Sequence, residues 1–233
     1  MTEAQRYIVA GAKPWNRRVY DEVITHYPGD WKYVGDRDEL TPDTVRDFDP
    51  QYIFFLHWSW KVPAEIFENY ECVGFHMADL PVGRGGSPLQ NMIVEGNRRT
   101  KLSALRMVEQ FDAGPVYLKE ELSLEGLAEE IYIRASRLAA EMIRRIIQEG
   151  IEPLPQTGEP TVFPRRKPHQ SEILVSGSLL HLFDFVRMLD ADGYPKAFLN
   201  HQGFRFEFSR PALRDGRIVA DVAITRTQEE QTL

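Results

Sequence analysis

The 233-residue chain is predicted to adopt an α/β fold: a Rossmann-like, doubly wound, mainly parallel sheet with a small C-terminal extension of one helix plus a β-hairpin. Three observations carry this. Short apolar runs alternate with helical stretches through the first half of the sequence, the spacing of parallel strands joined by crossover helices. One long amphipathic stretch follows, from about Leu127 to Glu149. Two alternating segments near the end flank Arg214-Asp215-Gly216, a hairpin turn signal.

Arg6 to Ala10 reads as the first strand, closed by Gly11, with Asn16 as the N-cap of a helix to about Tyr27. Thr41 to Arg46 has the pattern of a short capped helix. Gln51 to Leu56 is a nearly continuous apolar run between Pro50 and His57, which fits a strand buried on both faces. Val62 to Tyr70 suggests a helix, Cys72 to His76 a strand, Pro88 to Glu95 a helix and Leu102 to Val108 a strand. In the long helix, Leu127, Ile131, Ala135, Leu138, Met142 and Ile146 recur at three- and four-residue steps, and Gly150 ends it. Glu152 to Ser171, rich in proline and basic residues, reads as a connector across the surface. Ser178 to about Asp190 is the last helix, ahead of the turn at Asp192-Gly193-Tyr194-Pro195. Residues 204–208 and 217–225 alternate as strands, and the last eight residues are polar and expected to fray. The expected division is a catalytic-sized domain over 1–177 and an α+β extension over 178–233.

Composition narrows the function. With 42% hydrophobic and 27% charged residues, extended disorder is excluded. The single cysteine, Cys72, excludes an intrachain disulfide and a cysteine-rich metal cluster, and the six histidines show no ligand spacing, so no metal is expected. No apolar run is long enough to span a membrane and no signal-peptide pattern is evident, so a cytoplasmic protein is expected. A net charge of −7 argues against a broad nucleic-acid surface. The C-terminal strands could pair between chains as a homodimer.

The densest cluster of chemistry is Phe75-His-Met-Ala-Asp-Leu-Pro-Val-Gly-Arg-Gly-Gly-Ser-Pro-Leu-Gln90. A histidine there ends a strand, at the sheet edge where open α/β proteins bind ligands, and a glycine-rich loop follows it. The loop is neither a Walker loop nor a dinucleotide fingerprint. A second cluster, Glu109-Gln-Phe-Asp-Ala-Gly-Pro-Val116, places Asp112 after another strand, either as a turn former or as an acid facing His76. His57-Trp-Ser-Trp60 lies just beyond a buried strand, as ligand residues or as a packed aromatic corner. Lys13-Pro-Trp-Asn16 follows the first strand, where α/β proteins often receive a phosphate. Arg165-Arg166-Lys167 offers three cations, suited to a diphosphate or simply solvated.

Together, His76, Leu80-Pro81, Arg84-Gly85, Pro88, Gln90 and Asp112-Ala-Gly114 resemble the N10-formyltetrahydrofolate-dependent formyltransferase family, over roughly residues 50 to 150. Within it, the Phe-His-Met, Gly-Arg-Gly-Gly-Ser-Pro-Leu-Gln-Asn, His-Trp-Ser and Arg-Arg-Lys-Pro segments are similar to the short bacterial nucleotide-sugar N-formyltransferases, including those of pseudaminic-acid-type pathways. The resemblance implies N10-formyltetrahydrofolate as cofactor. It implies His76 and Asp112 as catalytic residues, with Leu80, Pro81, Gly83, Arg84, Gly85, Gln110, Phe111 and Gly114 around the cofactor. Lys13, Trp15, Asn16, Trp58, Trp60, Gln90, Arg165, Arg166 and Lys167 are the expected substrate contacts. In one respect the chain departs from the pattern. The family has Asn-x-His, and Gly74 stands here in place of the asparagine. His57 and Ser59, ahead of Asn91, are the expected replacements, which adds them to the catalytic set.

The function expected on this basis is transfer of the formyl group to a dTDP- or UDP-linked 4-amino-4,6-dideoxysugar, for bacterial surface glycans such as O-antigen lipopolysaccharide. Neither nucleic acid nor membrane is expected as a partner. The alternatives are a formyltransferase for another amine, aminoacyl-tRNA or a carrier-bound aminoacyl group, and a non-catalytic folate- or nucleotide-binding module. The small C-terminal piece and the acidic charge weigh against tRNA, and retention of both His76 and Asp112 weighs against a non-catalytic module.

Overall fold

The computed structural model describes residues 5–174 and 177–227. The expected frayed tail lies largely outside these described residues. The chain divides into two compact units. One comprises the chain up to Pro88, Thr100–Leu122 and Tyr132–Phe163. The other comprises Leu89–Arg99, Ser123–Ile131 and the chain from Pro164 onward.

The α/β expectation is borne out. The elements in the first part of the chain are β1 (Arg6–Ala10), α1 (Pro14–Glu22), β2 (Asp30–Val34), α2 (Pro42–Phe48), β3 (Tyr52–Phe55), α3 (Ala64–Phe67), β4 (Glu71–His76), β5 (Arg84–Gly85), α4 (Pro88–Val94), β6 (Arg99–Arg106), β7 (Val116–Ser123) and α5 (Ala128–Glu149). A six-stranded sheet runs in the order β2-β1-β3-β4-β6-β7. β1 pairs in parallel with β2 and β3, and β3 in parallel with β4, while β6 runs antiparallel to β4. The carboxyl ends of β1, β3 and β4 therefore share one edge, and they deliver Gly11, His57 and His76 to it.

The strands hold because both faces are apolar. Ile8, Ala10, Val34, Ile53, Phe55 and Cys72 form one core cluster with Val45 of α2 and Ile66 of α3. Tyr7 packs against Trp31 and Phe54, their ring centroids 4.6 and 6.4 Å away. Cys72 is a core residue whose burial pushes the thiol up to about 12. Thr41 caps α2, its side chain accepting the Thr44 N–H at 3.1 Å. Asn16 is not an N-cap. α1 begins two residues earlier at Pro14, and Lys13 takes the cap position in extended backbone. Asn16 is the third helical residue, and its Oδ1 accepts the Lys13 N–H at 3.2 Å. Its Nδ2 donates to Ser136 Oγ at 2.9 Å.

The remaining elements are β8 (Val162–Phe163), α6 (Leu179–Arg187), β9 (Ala197–His201), β10 (Phe204–Arg214) and β11 (Arg217–Arg226). The connector does not simply lie across the surface, because β8 pairs in parallel with β5. The expected hairpin forms between β10 and β11, and β9 adds a third antiparallel strand. Asp215 and Gly216 both have positive φ, 48° and 71°, as a tight two-residue turn requires. In this second unit Arg187, only 1% exposed, donates to Asp184 at 2.6 Å and to the carbonyls of Leu124 and Gly126 at 2.6 and 2.7 Å. Among the described residues no helix is long and apolar enough to cross a membrane.

Candidate active site

His76 is the last residue of β4 and is buried, with 8% of its surface exposed. Its Nε2 lies 2.7 Å from the Gly83 carbonyl oxygen, which can only accept, so Nε2 is the proton-bearing nitrogen in this contact. Its Nδ1 lies 3.4 Å from Asp112 Oδ1, a contact longer than a strong hydrogen bond. Asp112 sits in the left-handed region at φ 54°, and its Oδ2 accepts the Gly85 N–H at 2.9 Å. Two segments, the loop after β4 and the turn after β6, thus converge on one imidazole.

The loop bends through Leu80-Pro81 and returns along β5. Gly85 adopts φ 95°, and a Cβ added there would fall 2.6 Å from the Phe163 carbonyl oxygen, so only glycine allows β8 to approach. The Gly83 N–H donates to Thr161 Oγ1 at 2.8 Å, the Arg84 N–H to the Thr161 carbonyl at 2.9 Å, and the Gly86 N–H to the Phe163 carbonyl at 3.0 Å. Asp79, between His76 and this loop, is held by Lys101 and Lys119 at 3.0 and 2.7 Å. The turn of Asp112 is equally constrained, since a Cβ on Gly114 would meet the Arg106 carbonyl oxygen at 1.9 Å.

Gln156 and Thr161 have no counterpart among the residues expected from the sequence. Gln156 Nε2 donates to the carbonyls of Asp112 and Gly114, both at 2.8 Å. Its Oε1 accepts from Arg84 Nη2 at 2.8 Å and Nε at 3.1 Å. The proline-rich composition of that stretch was the only signal, and it pointed to a linker.

The other expected residues are placed as follows. Leu80 is buried and Gly83, Arg84, Gly85 and Gly114 line the arrangement just described, while Gln110 and Phe111 are exposed beside Asp112. Pro81 is buried and receives the Thr161 N–H at its carbonyl, 3.3 Å away. His57, at φ 50°, packs its ring 4.3 Å from that of Tyr132 and 6.0 Å from that of Trp15. Burial, with a smaller contribution from Lys13, pushes His57 down to about 4. Trp15 stacks on Tyr132 at 5.6 Å, and the Lys13 Nζ lies 5.9 Å from the Trp15 ring. Trp58 packs edge-on against Phe55 and Trp60, and Ser59 is exposed. These rings form a packed aromatic corner at the sheet edge. In the second unit, Gln90 Nε2 donates to the Met188 carbonyl at 3.2 Å. Asn91 Nδ2 donates to the Pro164 carbonyl at 3.2 Å. Arg166 donates to the Gln170 carbonyl at 2.7 Å and stands 5.9 Å from the Phe185 ring, its guanidinium pushed down by burial. Arg165 and Lys167 are exposed. Among the described residues no group of histidine, cysteine, aspartate or glutamate side chains could hold a metal ion.

A solved structure of methionyl-tRNA formyltransferase from Clostridium thermocellum is 44% identical to this chain. The match covers 96% of this chain and 100% of that one, with a TM-score of 0.91. The chain belongs to the methionyl-tRNA formyltransferase-like family. This formyltransferase-family chain is also 28% identical over 159 residues to methionyl-tRNA formyltransferase of Thermodesulfovibrio yellowstonii, covering 65% of its own length and 52% of the relative's. It thus spans about half the length of the curated relatives it matches. Residues 168–225 match the model of the methionyl-tRNA formyltransferase C-terminal domain. The structure from Mycobacterium tuberculosis described as a likely sugar N-formyltransferase shares the fold, with a TM-score of 0.67 over 97% of this chain and 99% of that one, but is only 15% identical.

The expected nucleotide-sugar specificity, and with it the roles in O-antigen and lipopolysaccharide synthesis, is therefore overturned by the likeness to methionyl-tRNA formyltransferase. The exclusion of nucleic acid as a partner rested on the net charge of −7 and on the small C-terminal piece. The C-terminal segment judged too small to serve a tRNA enzyme is the one matched by that enzyme's C-terminal-domain model. The family is one of one-carbon transferases that use N10-formyltetrahydrofolate.

Proposed function

We propose that this chain transfers the formyl group of N10-formyltetrahydrofolate to the amino group of methionyl-tRNA. The observation that carries the reading is the end-to-end likeness to the Clostridium thermocellum structure, at 44% identity. The His76–Asp112 pair at the carboxyl edge of the sheet supplies the chemistry such a transfer needs.

The residues present fit the donor. Val82 and Phe111, 50% and 71% exposed, are neighbours in sequence of Gly83 and Asp112 and present apolar surface for a flat ring system. A buried imidazole and a carboxylate stand beside them. When bound, the donor supplies an activated formyl carbon to the attacking amine. His76 Nε2 carries a proton that can be turned from the Gly83 carbonyl to developing negative charge. Asp112 Oδ1 holds the Nδ1 side of the ring in register while Nε2 gives its proton to the leaving nitrogen of the donor and takes up the amine's, so the ring ends in the state in which it began. The tight loop from Leu80 to Gly86 and the exposed Gln110 and Phe111 would hold the donor, with Arg84 fixed by Gln156. Gly74 offers no side-chain donor, so any polarising group comes from elsewhere. Lys13, Trp15, His57, Ser59, Trp58 and Trp60 stand at the same sheet edge as candidates for the acceptor side. The proposed substrate contacts Gln90 and Arg165–Lys167 belong to the second unit.

The test is direct. Purified protein is mixed with N10-formyltetrahydrofolate and charged methionyl-tRNA, the ester is hydrolysed, and formylmethionine is sought by mass. Formation dependent on both reactants is expected. Its absence, with donor binding intact, would remove the proposal.

A further inference from the structure

We infer that Gln156 is a positioning residue for the His76–Asp112 pair, clamping the turn that carries Asp112 to the loop that holds His76; only its kinetic readout rests on the formyl-transfer reading. The geometry is specific to a carboxamide. Both N–H groups of Gln156 are donated, to the carbonyls of Asp112 and Gly114. Its oxygen accepts two N–H groups of one guanidinium, that of Arg84. A glutamate at this position would keep the second function and lose the first, because a carboxylate has no donors.

What the clamp secures follows from the backbone. Asp112 is held in the left-handed region, a conformation that strains a residue with a side chain and persists only where the surroundings over-determine it. Gln156 binds the Asp112 carbonyl itself and that of Gly114, two residues on. The same side chain holds Arg84, which lies between Gly83, the acceptor for His76 Nε2, and Gly85, the donor to Asp112 Oδ2. Each heavy-atom partner of the imidazole is thus one residue or less from a group that Gln156 binds. Loss of the clamp frees the Asp112 backbone to relax, and its carboxylate then swings away from both Gly85 and His76.

The test compares Gln156→Glu, which keeps length and the Arg84 contact, with Gln156→Met, which keeps only volume. Thermal melts establish folding. The ¹⁵N spectrum of the histidine rings, recorded without ligands, reports the hydrogen bonds at His76 Nδ1 and Nε2. In both variants the His76 resonances are expected to shift while those of His26 and His201 stay in place. With donor and methionyl-tRNA, kcat should fall about 10- to 100-fold while KM for the donor changes less than about threefold. Unchanged His76 resonances in a folded variant would overturn the inference, as would unfolding of both variants, since a positioning role requires a fold that stands without the clamp. A wild-type protein with no transfer activity would defeat the functional proposal alone and leave the ring spectrum to decide this one.

Discussion

Asp112 divides its carboxylate between two partners, the Gly85 amide at 2.9 Å and His76 Nδ1 at 3.4 Å. The shorter contact goes to backbone and the longer to the imidazole, so the carboxylate is anchored before it orients the ring. Asp112→Asn keeps an acceptor for Gly85 and removes the charge. This variant is expected to fold normally and to lose about 10²-fold or more in formylmethionine formation, and His76→Ala to lose about 10³-fold. Rates within a factor of three of wild type, from initial-velocity measurements on folded variants, would contradict the assigned roles.

Two glycines, Gly114 in the turn after β6 and Gly74 within β4, should respond in opposite ways. A Cβ at Gly114 would fall 1.9 Å from the Arg106 carbonyl oxygen, whereas at Gly74 its nearest neighbours are Met107 Cγ and Leu105 Cδ2, at 3.7 and 3.8 Å. Gly114→Ala should therefore destabilise the protein by more than about 3 kcal/mol, and Gly74→Ala should leave it unchanged or stabilise it by about 0.5–1 kcal/mol. Denaturant midpoints of the two variants measure the contrast.

The fold was largely legible because its central strands are apolar on both faces. Tyr52–Phe55 and Glu71–His76 announced themselves as short buried runs, and the heptad-like spacing of Leu127 to Ile146 marked the long helix. What was not legible was exposed. Asp30–Val34 is an edge strand whose residues grade from exposed Asp30 through three half-buried positions to buried Val34, so it shows no alternation, and Val116–Ser123 carries Lys119, Glu120 and Glu121 in mid-strand. That His76 and Asp112 face one another could be read because strand ends and glycine turns leave local marks. Gln156 could not, since its role depends on a backbone 44 residues away. Asn16 looked like a cap because asparagine so often is one, but Pro14 starts the helix earlier.

The His57 ring should make stability pH-dependent. Burial lowers it from 6.5 to about 4 in the folded protein, below its value in the unfolded chain, so unfolding takes up a proton between those limits. The contribution is complete above about pH 6.5 and is lost as pH falls toward 4, amounting to at most about 3 kcal/mol. Urea midpoints at pH 7 and pH 5 should differ more in the wild type than in His57→Asn, a replacement suited to the left-handed backbone at that position. Equal pH slopes would refute this.

Asp184 serves two arginines in the second unit, Arg187 at 2.6 Å and Arg98 at 3.0 Å, and Arg187 is almost fully enclosed. Asp184→Ala leaves that guanidinium without its carboxylate, and a loss of about 3–5 kcal/mol is expected from calorimetry or chemical unfolding. A loss below about 1 kcal/mol would show that the Leu124 and Gly126 carbonyls suffice on their own.

The pairing of β5 with β8 has a consequence for the order of synthesis. Translation delivers His76 and Asp112 to solvent well before Gln156, Thr161 and Phe163 leave the ribosome. Until then the loop through Gly83 and Arg84 and the Asp112–Gly114 turn stand without the contacts that Gln156 and Thr161 supply, so His76, at the end of β4, and Asp112, in its turn, are not yet held in register. A nascent chain halted before Gln156 therefore carries both groups of the proposed catalytic pair without the geometry that makes them a pair.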